Sequence, residues 1–414
     1  MICPSTWAPA CYEGHHFNPR CRFAGFSSSS WWRFRDANLD PRTPRESSGF
    51  RPASQYQVSC SGGGTLYFPD TNTVDTFAER GMSKCSTYSS RTNAENCVSK
   101  MVTPSAVDAS RWYSGCPSMQ GVELENRIGT CGGVGSHMEQ RVYNGAVMTP
   151  QIGYRSALDA PMLGILEDSG WYKPIWAGQD GFRQELDWGY KQGCGFMKDN
   201  KCVSGSTVQG SPLPRFCASN QASKCIFDRS AVGVCSLYTV SGTIPPQFQY
   251  FSNPSQGGNS AFYDYCPAYF GYSNRRCTDS TQSSSTYSGT NYGSGGICLE
   301  STAVSGGSTA EVGRCFVTSC NDLGGGSFSL DVTVETPSGP ATLTCTSAGQ
   351  QVTPPGFGGA ITCPDPANLC RGEEVYLPPG SSAGPTPSPA APSASTSPTR
   401  TPTGTPTGSP TRTP

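Results

Sequence analysis

The chain has 414 residues, enough for two or three domains with cores of their own. Gly (49) and Pro (35) make up about a fifth of it and only 14% of residues are charged, which excludes a helical bundle or coiled coil and favours a loop-rich, turn-rich protein. A net charge of −1 with no basic run excludes a nucleic-acid partner held by phosphate neutralisation, and no uninterrupted apolar stretch is long enough to span a membrane.

The 21 cysteines are spread singly, with no C-x-x-C pair, so zinc ribbons, redox dithiols and iron–sulfur spacings are poorly supported. Scattered cysteines in a Gly/Pro-rich chain read as disulfides formed in the secretory pathway or outside the cell. The odd count leaves at least one cysteine unpaired or paired between chains. An exported protein is expected to carry a leader. MICPSTWAPACYEGHHFNPR has neither a basic start nor an apolar run, so the start reads as truncated or mis-spliced.

Residues 1–55 show no periodicity and are expected to be irregular, with an unusual SSSSWWRFRD patch. Residues 56–193 have the composition of an ordinary domain. Within them SALDAPMLGILEDSGWY predicts a helix, with Ser156 as N-cap and Gly170 as stop; Pro161 belongs in a first turn and moves the regular start to Asp159 or Ala160. From 194 to 372 the cysteines crowd and long periodic segments disappear, which predicts short strands and loops held by disulfides; LDVTVE, at 330–335, alternates like a half-buried strand. Residues 373–414 form a Pro/Thr/Ser tail with too few apolar side chains to offset ordering entropy, expected to be disordered and either an O-glycosylated spacer or a plain solvated tail. It lacks the hydrophobic end of a GPI signal, and no N-x-S/T sequon occurs, Asn253 being followed by Pro254.

Histidine is scarce: His15, His16 and His137 are the full set. No G-x-S-x-G elbow, P-loop or dinucleotide fingerprint is present. Adjacent side chains such as His15 and His16 diverge in helix or strand, so that pair makes a poor chelate alone. Glu123 and Glu125 would share one strand face as a carboxylate pair, but no sugar-binding aromatic pattern accompanies them, which disfavours glycosidase chemistry. His137 follows a Gly-rich loop, a setting that is more often structural.

The larger pattern reverses that reading. RWYSGCP at 111–117, GVELEN at 121–126, GSHMEQR at 135–141, VMTP at 147–150 and LEDSGWY at 166–172 occur in that order, followed by WGYKQGCGF at 188–196 and SAFYDYCP at 260–267. Together they resemble the leishmanolysin family of zinc metallopeptidases. The resemblance implies an α+β fold: the C-terminal half of a metzincin-like peptidase domain over 56–193, then a cysteine-rich leishmanolysin-type domain over 194–372. In metzincins an H-E-x-x-H helix supplies two zinc ligands and the general base, and a later histidine completes the site. By motif position His137 is that third ligand and Met148 the methionine of the turn beneath the metal. The cysteine order implies the pairs Cys116–Cys194, Cys202–Cys266, Cys217–Cys235, Cys225–Cys298, Cys277–Cys315, Cys320–Cys370 and Cys345–Cys363. Zinc, protein or peptide substrates, cell-surface or matrix partners and an extracellular or cell-surface location follow from the same resemblance.

The departures matter as much. No H-E-x-x-H exists in the chain. Its nearest counterpart, NPRCRFAGFS at 18–27, puts Asn18 and Arg22 at the histidines and Pro19 at the base. Proline would break the helix and arginine would repel the cation, so no catalytic residue is identifiable and the chain as written is expected to be inactive. Met138 stands where the family usually has tryptophan, and Ala146 where an acidic residue commonly precedes the turn methionine. The readings in competition are a zinc endopeptidase without its H-E-x-x-H half, an inactive homologue acting as an adhesion or binding protein, and a structural module with a mucin-like stalk.

Overall fold

The computed structural model describes residues 12–13, 16–17, 57–59, 65–67, 74–83, 97–126, 137–151, 157–169, 172, 188–199, 202–204, 207–208, 215–220 and 222–370. The class is α+β. Two strand pairs come first, β1 Tyr12–Glu13 with β2 His16–Phe17 and β3 Gln57–Ser59 with β4 Thr65–Tyr67. Strands β5 Val74–Phe77, β6 Val98–Met101 and β7 Val122–Leu124 form an antiparallel sheet in that order, with Lys100 opposite Glu123.

Helix α1, Pro104–Ser114, begins with proline at a position whose N–H is spare in any helix. Thr103 at the N-cap makes no side-chain bond. The Asp168 carboxylate, from another helix, instead accepts the Ser105 and Ala106 N–H groups at 3.1 and 2.9 Å. The helix stops at Gly115, which takes a left-handed φ of 65° that a side chain would resist. After the short α2, Gln140–Tyr143, helix α3 runs over Ala160–Asp168. Pro161 does sit in its first turn, and the cap is Asp159, whose side chain accepts the Met162 N–H at 2.8 Å. Ser156 and Gly170 lie outside the described residues. Gly164 lets α3 approach α1 closely: a Cβ there would stand 2.6 Å from the Ser105 carbonyl oxygen.

The first core gathers Met101, Tyr113, Leu124, Met138, Val142, Met162 and Ile165 with Trp188, Phe196, Phe216 and Tyr263. It therefore takes in residues from both sides of 193. Trp188 is its centre: the indole N–H donates to the Arg141 carbonyl at 2.7 Å, and Phe216 and Phe227 meet the ring edge-on.

Beyond it lie β8 Val203–Ser204 paired with β9 Thr207–Val208, then β10 Ala222–Cys225 and β11 Ala231–Cys235, which join β14 Tyr269–Arg276 in an antiparallel sheet. Between them β12 Leu237–Thr239 and β13 Gln256–Gly258 form a separate hairpin. A larger sheet is ordered β18-β17-β16-β15-β21-β19, from β15 Gly296–Ser305, β16 Gly307–Gly324, β17 Ser327–Thr336, β18 Gly339–Cys345, β19 Gln351–Val352 and β21 Ile361–Thr362; β20 Phe357–Gly358 pairs with β15. The alternation read in LDVTVE is realised in β17, where Leu330, Val332 and Val334 enter the second core with Leu299, Phe316 and Ile361. Helix α4, Pro366–Cys370, closes the described chain.

Disulfides join Cys116–Cys194, Cys202–Cys266, Cys217–Cys235, Cys225–Cys298, Cys277–Cys315, Cys320–Cys370 and Cys345–Cys363. Cys97 is also disulfide-bonded. Cys3, Cys11, Cys21, Cys60, Cys85 and Cys131 lie outside the described residues.

Candidate metal centre

His137 is half-buried and opens a strip of chain laid beside β7. Its carbonyl accepts the Glu125 N–H at 3.0 Å, Met138 bridges to Leu124, and the Glu139 N–H donates to the Glu123 carbonyl at 3.1 Å. The strip turns into α2 because the Glu139 carboxylate caps it, accepting the Arg141 N–H at 3.0 Å. After α2 the chain folds back. The Met138 N–H donates to the Met148 carbonyl at 2.9 Å, and the Ala157 N–H donates to the Gly145 carbonyl at 2.9 Å. Met148 is thereby buried in a turn fixed to the residue next to His137. The two motif residues predicted from sequence are thus held as one unit.

Gln140 reinforces it. Its amide oxygen accepts the Gln151 N–H at 2.9 Å while its NH2 donates to the Gln151 carbonyl at 3.2 Å and to Asn144 at 2.8 Å. The Tyr263 hydroxyl donates to the same Asn144 oxygen at 2.6 Å, so the segment leaving Met148 is tied to α2 from two directions.

Beneath the strip lies a buried charge cluster. Arg80 forms a bidentate pair with Glu123, reaches Asp264 at 3.3 Å and donates to the Met197 carbonyl at 3.1 Å. Lys100 pairs with Glu79 at 2.8 Å, and Arg141 donates to the Phe196 carbonyl at 3.1 Å. Three cations, Arg80, Lys100 and Arg141, therefore face five buried carboxyls, Glu79, Glu123, Glu125, Glu139 and Asp264. Desolvation, and then the charges of Glu125, Asp264 and Glu123, push the Glu139 carboxyl well above the usual range. Desolvation likewise lifts Asp264 to about 6, against the pull of Arg80. With those two carboxyls protonated, three anions balance three cations, the state a low-dielectric interior favours. Burial works to lower Arg80, but Glu123 and Asp264 hold it well above its ordinary value. Glu123 is thus committed to a guanidinium, which argues against the acid–base carboxylate pair considered from sequence.

Asn18, Pro19, Arg22 and His15 lie outside the described residues, as does the side chain of His16. Among the described residues no group of three or more His, Cys, Asp or Glu side chains could hold a metal ion. The chain offers one histidine at the motif position and no H-E-x-x-H, so these residues do not fit a three-ligand zinc site and no catalytic step is derived through one. Sequence reasoning missed Arg80, Lys100, Gln140, Asp264 and Tyr263. Only Gln140 and Arg141 stood inside a recognised motif; the partners of Arg80 are 43 and 184 residues away.

An α+β chain with this histidine–methionine unit and a disulfide-rich sheet points to a metzincin-type peptidase class. A family model for leishmanolysin, peptidase family M8, matches residues 73–375, and the chain belongs to that family of zinc metallopeptidases. It is 27% identical to leishmanolysin of Leishmania donovani over 294 residues, 67% of this chain and 47% of the relative. It is 35% identical to leishmanolysin of Leishmania major over 176 residues, 42% of this chain and 27% of the relative. With a leishmanolysin-like peptidase of Caenorhabditis elegans it shares 28% identity over 262 residues, 59% of this chain and 37% of the relative. The chain spans less than half the length of each of these relatives. Among the described residues no helix is long and apolar enough to cross a membrane.

Proposed function

We propose that this chain carries the downstream half of a leishmanolysin-type zinc endopeptidase, with His137 as third zinc ligand and Met148 as the turn methionine under the metal. The observation that carries the reading is the bond from the Met138 N–H to the Met148 carbonyl at 2.9 Å, which makes one rigid unit of the two motifs. Residues 56–193 are the peptidase half, 194–372 the cysteine-rich domain packed on it, and 373–414 a spacer. Substrates are proteins or peptides met outside the cell or at its surface, where disulfides persist.

The 414 residues alone do not hydrolyse peptides, because one neutral imidazole cannot hold catalytic zinc and no glutamate stands at the base position. A second reading, an inactive homologue that binds cell-surface or matrix partners, is favoured by the disulfide-stapled sheet, which needs nothing from the metal site. The test is zinc content and chelator-sensitive cleavage of a fluorogenic peptide library by the secreted chain. A version supplied with an in-frame H-E-x-x-H segment from its own transcript is measured beside it, with and without His137→Ala. The expected result is neither zinc nor cleavage for the 414 residues, both for the extended chain, and loss of both on His137→Ala. Zinc-dependent cleavage by the 414 residues that survives His137→Ala sinks the assignment. An upstream transcript without H-E-x-x-H leaves the binding homologue as the reading.

A further inference from the structure

Three large apolar side chains among the described residues stand more than half exposed: Tyr238 at 58%, Tyr287 at 61% and Leu323 at 62%. Tyr238 differs in its setting. It lines an open recess of about 410 Å³ between the segment after Cys217, strand β12 and strand β13. Small-ligand sites span roughly 300–1,000 Å³. Around the ring stand Ser219, Asn220, Thr239 and Gln256, and among the described residues their side chains make no hydrogen bond. Elsewhere in the structure polar side chains near the hairpin are committed: Ser236 accepts from the Ala268 N–H at 3.0 Å, and Asn253 accepts from the Ser255 N–H at 3.0 Å.

The frame is rigid. Cys217 and Cys235 are bonded to one another just before each of the first two lining segments, the Ser236 N–H donates to the Ala268 carbonyl at 2.9 Å, and Thr239 faces Gln256 across the hairpin. Ordering these groups costs a ligand little, which is the condition for a shallow site to bind at all.

We infer that the recess at Tyr238 is a subsite for a neutral carbohydrate, with the ring as stacking platform and Asn220 and Gln256 as hydrogen-bonding arms. The lining carries no Asp, Glu, Lys or Arg, so the ligand it suits is uncharged. A pyranose presents an apolar C–H face and a rim of hydroxyls that both donate and accept. An exposed phenol ring matches the face, and amides and hydroxyls match the rim. A bound peptide strand would call for a row of backbone donors and acceptors, whereas the recess offers side-chain groups grouped about a single ring. The site is independent of the metal centre and of whether the chain hydrolyses peptides.

The test is binding of the secreted, disulfide-intact chain to immobilised neutral oligosaccharides ending in mannose, galactose, glucose or N-acetylglucosamine, with an immobilised peptide library in parallel. At least one oligosaccharide is expected to bind. Tyr238→Ala should weaken it about tenfold or more, Asn220→Ala or Gln256→Ala severalfold, and Tyr238→Phe little, since stacking needs the ring and not its hydroxyl. Tyr287→Ala, equally exposed but outside the recess, should leave binding unchanged, and the melting temperature of each variant guards against misfolding. No oligosaccharide bound above the Tyr238→Ala level overturns the proposal. So does binding indifferent to Tyr238→Ala, or capture of peptides in place of sugars.

Discussion

Arg80 sits where two acidic groups from distant parts of the chain meet, holding Glu123 and Asp264 together in an interior that water does not reach. Arg80→Met would leave both facing an apolar side chain, and removing one partner of a buried pair typically costs about 3–5 kcal/mol. The check is the urea midpoint of the disulfide-intact protein; a loss under about 1 kcal/mol would mean the carboxyls are already neutral without Arg80. Asp159 makes a second case. Burial lifts its carboxyl to about 7 from an ordinary 3.8, against the Met162 N–H that favours the charged form. A raised carboxyl keeps its proton in the fold where the unfolded chain has lost it. The fold therefore binds more protons across that window, and stability falls as pH rises from 3.8 to about 7. Asp264 adds to the trend with the same sign. Asp159→Asn keeps the cap acceptor and removes the titration. Its stability should fall less steeply across the window, by up to about 1.4 kcal/mol per pH unit, and exceed that of the parent at neutral pH. Superimposable pH profiles for the two proteins would show that Asp159 is ionised in the fold.

Helices α1 and α3 depend on one another at two points. Gly164 admits the α1 backbone, so Gly164→Ala should push the helices apart and cost about 1–3 kcal/mol by overpacking, read as a lower melting temperature with unchanged helix content. Asp168→Ala removes the only printed acceptor of the Ser105 and Ala106 N–H groups and should cost about 1–2 kcal/mol; Asp168→Asn should recover part of that loss. If Asp168→Ala melts like the parent, solvent caps α1 well enough. This division between local and distant causes also decides what the sequence makes legible. Helix α3 is readable from its own residues, because Pro161 and the apolar spacing are local, and β17 is readable because one of its faces is buried throughout. Strand β16 is not. Its 18 residues are exposed at 308–311, buried at 313–316 and exposed again beyond 318, as its partner changes from β15 to β17. No single alternation survives that change. The cap of α1 is hidden for the same reason, lying 63 residues from Ser105. At the candidate site His137 and Met148 are legible only through ordered motifs, while Arg80 and Asp264 carry no local sign of their pairing.

The molecule as a whole is stabilised unevenly. The first core holds thirty buried apolar side chains among the described residues and the second ten. Five of the seven disulfides listed above, from Cys217–Cys235 to Cys345–Cys363, lie wholly within residues 217–370. Their sequence separations run from 18 to 73 residues. Chain-entropy arguments give about 3–4 kcal/mol for closing loops of that size, although the contributions do not add freely. A sheet with the smaller core and most of the staples should depend on those staples more than the first core does. The tryptophans make this measurable, because all seven lie at or before Trp188 and none lies in the sheet region. Tryptophan emission therefore follows the first core, and hydrogen exchange in β15 to β18 follows the second. With reductant added stepwise, protection in β15 to β18 should be lost while Trp188 emission still reports a packed ring. Simultaneous loss of both signals would show that the two cores unfold as one unit, and that the staples contribute to the whole fold and not to the sheet alone.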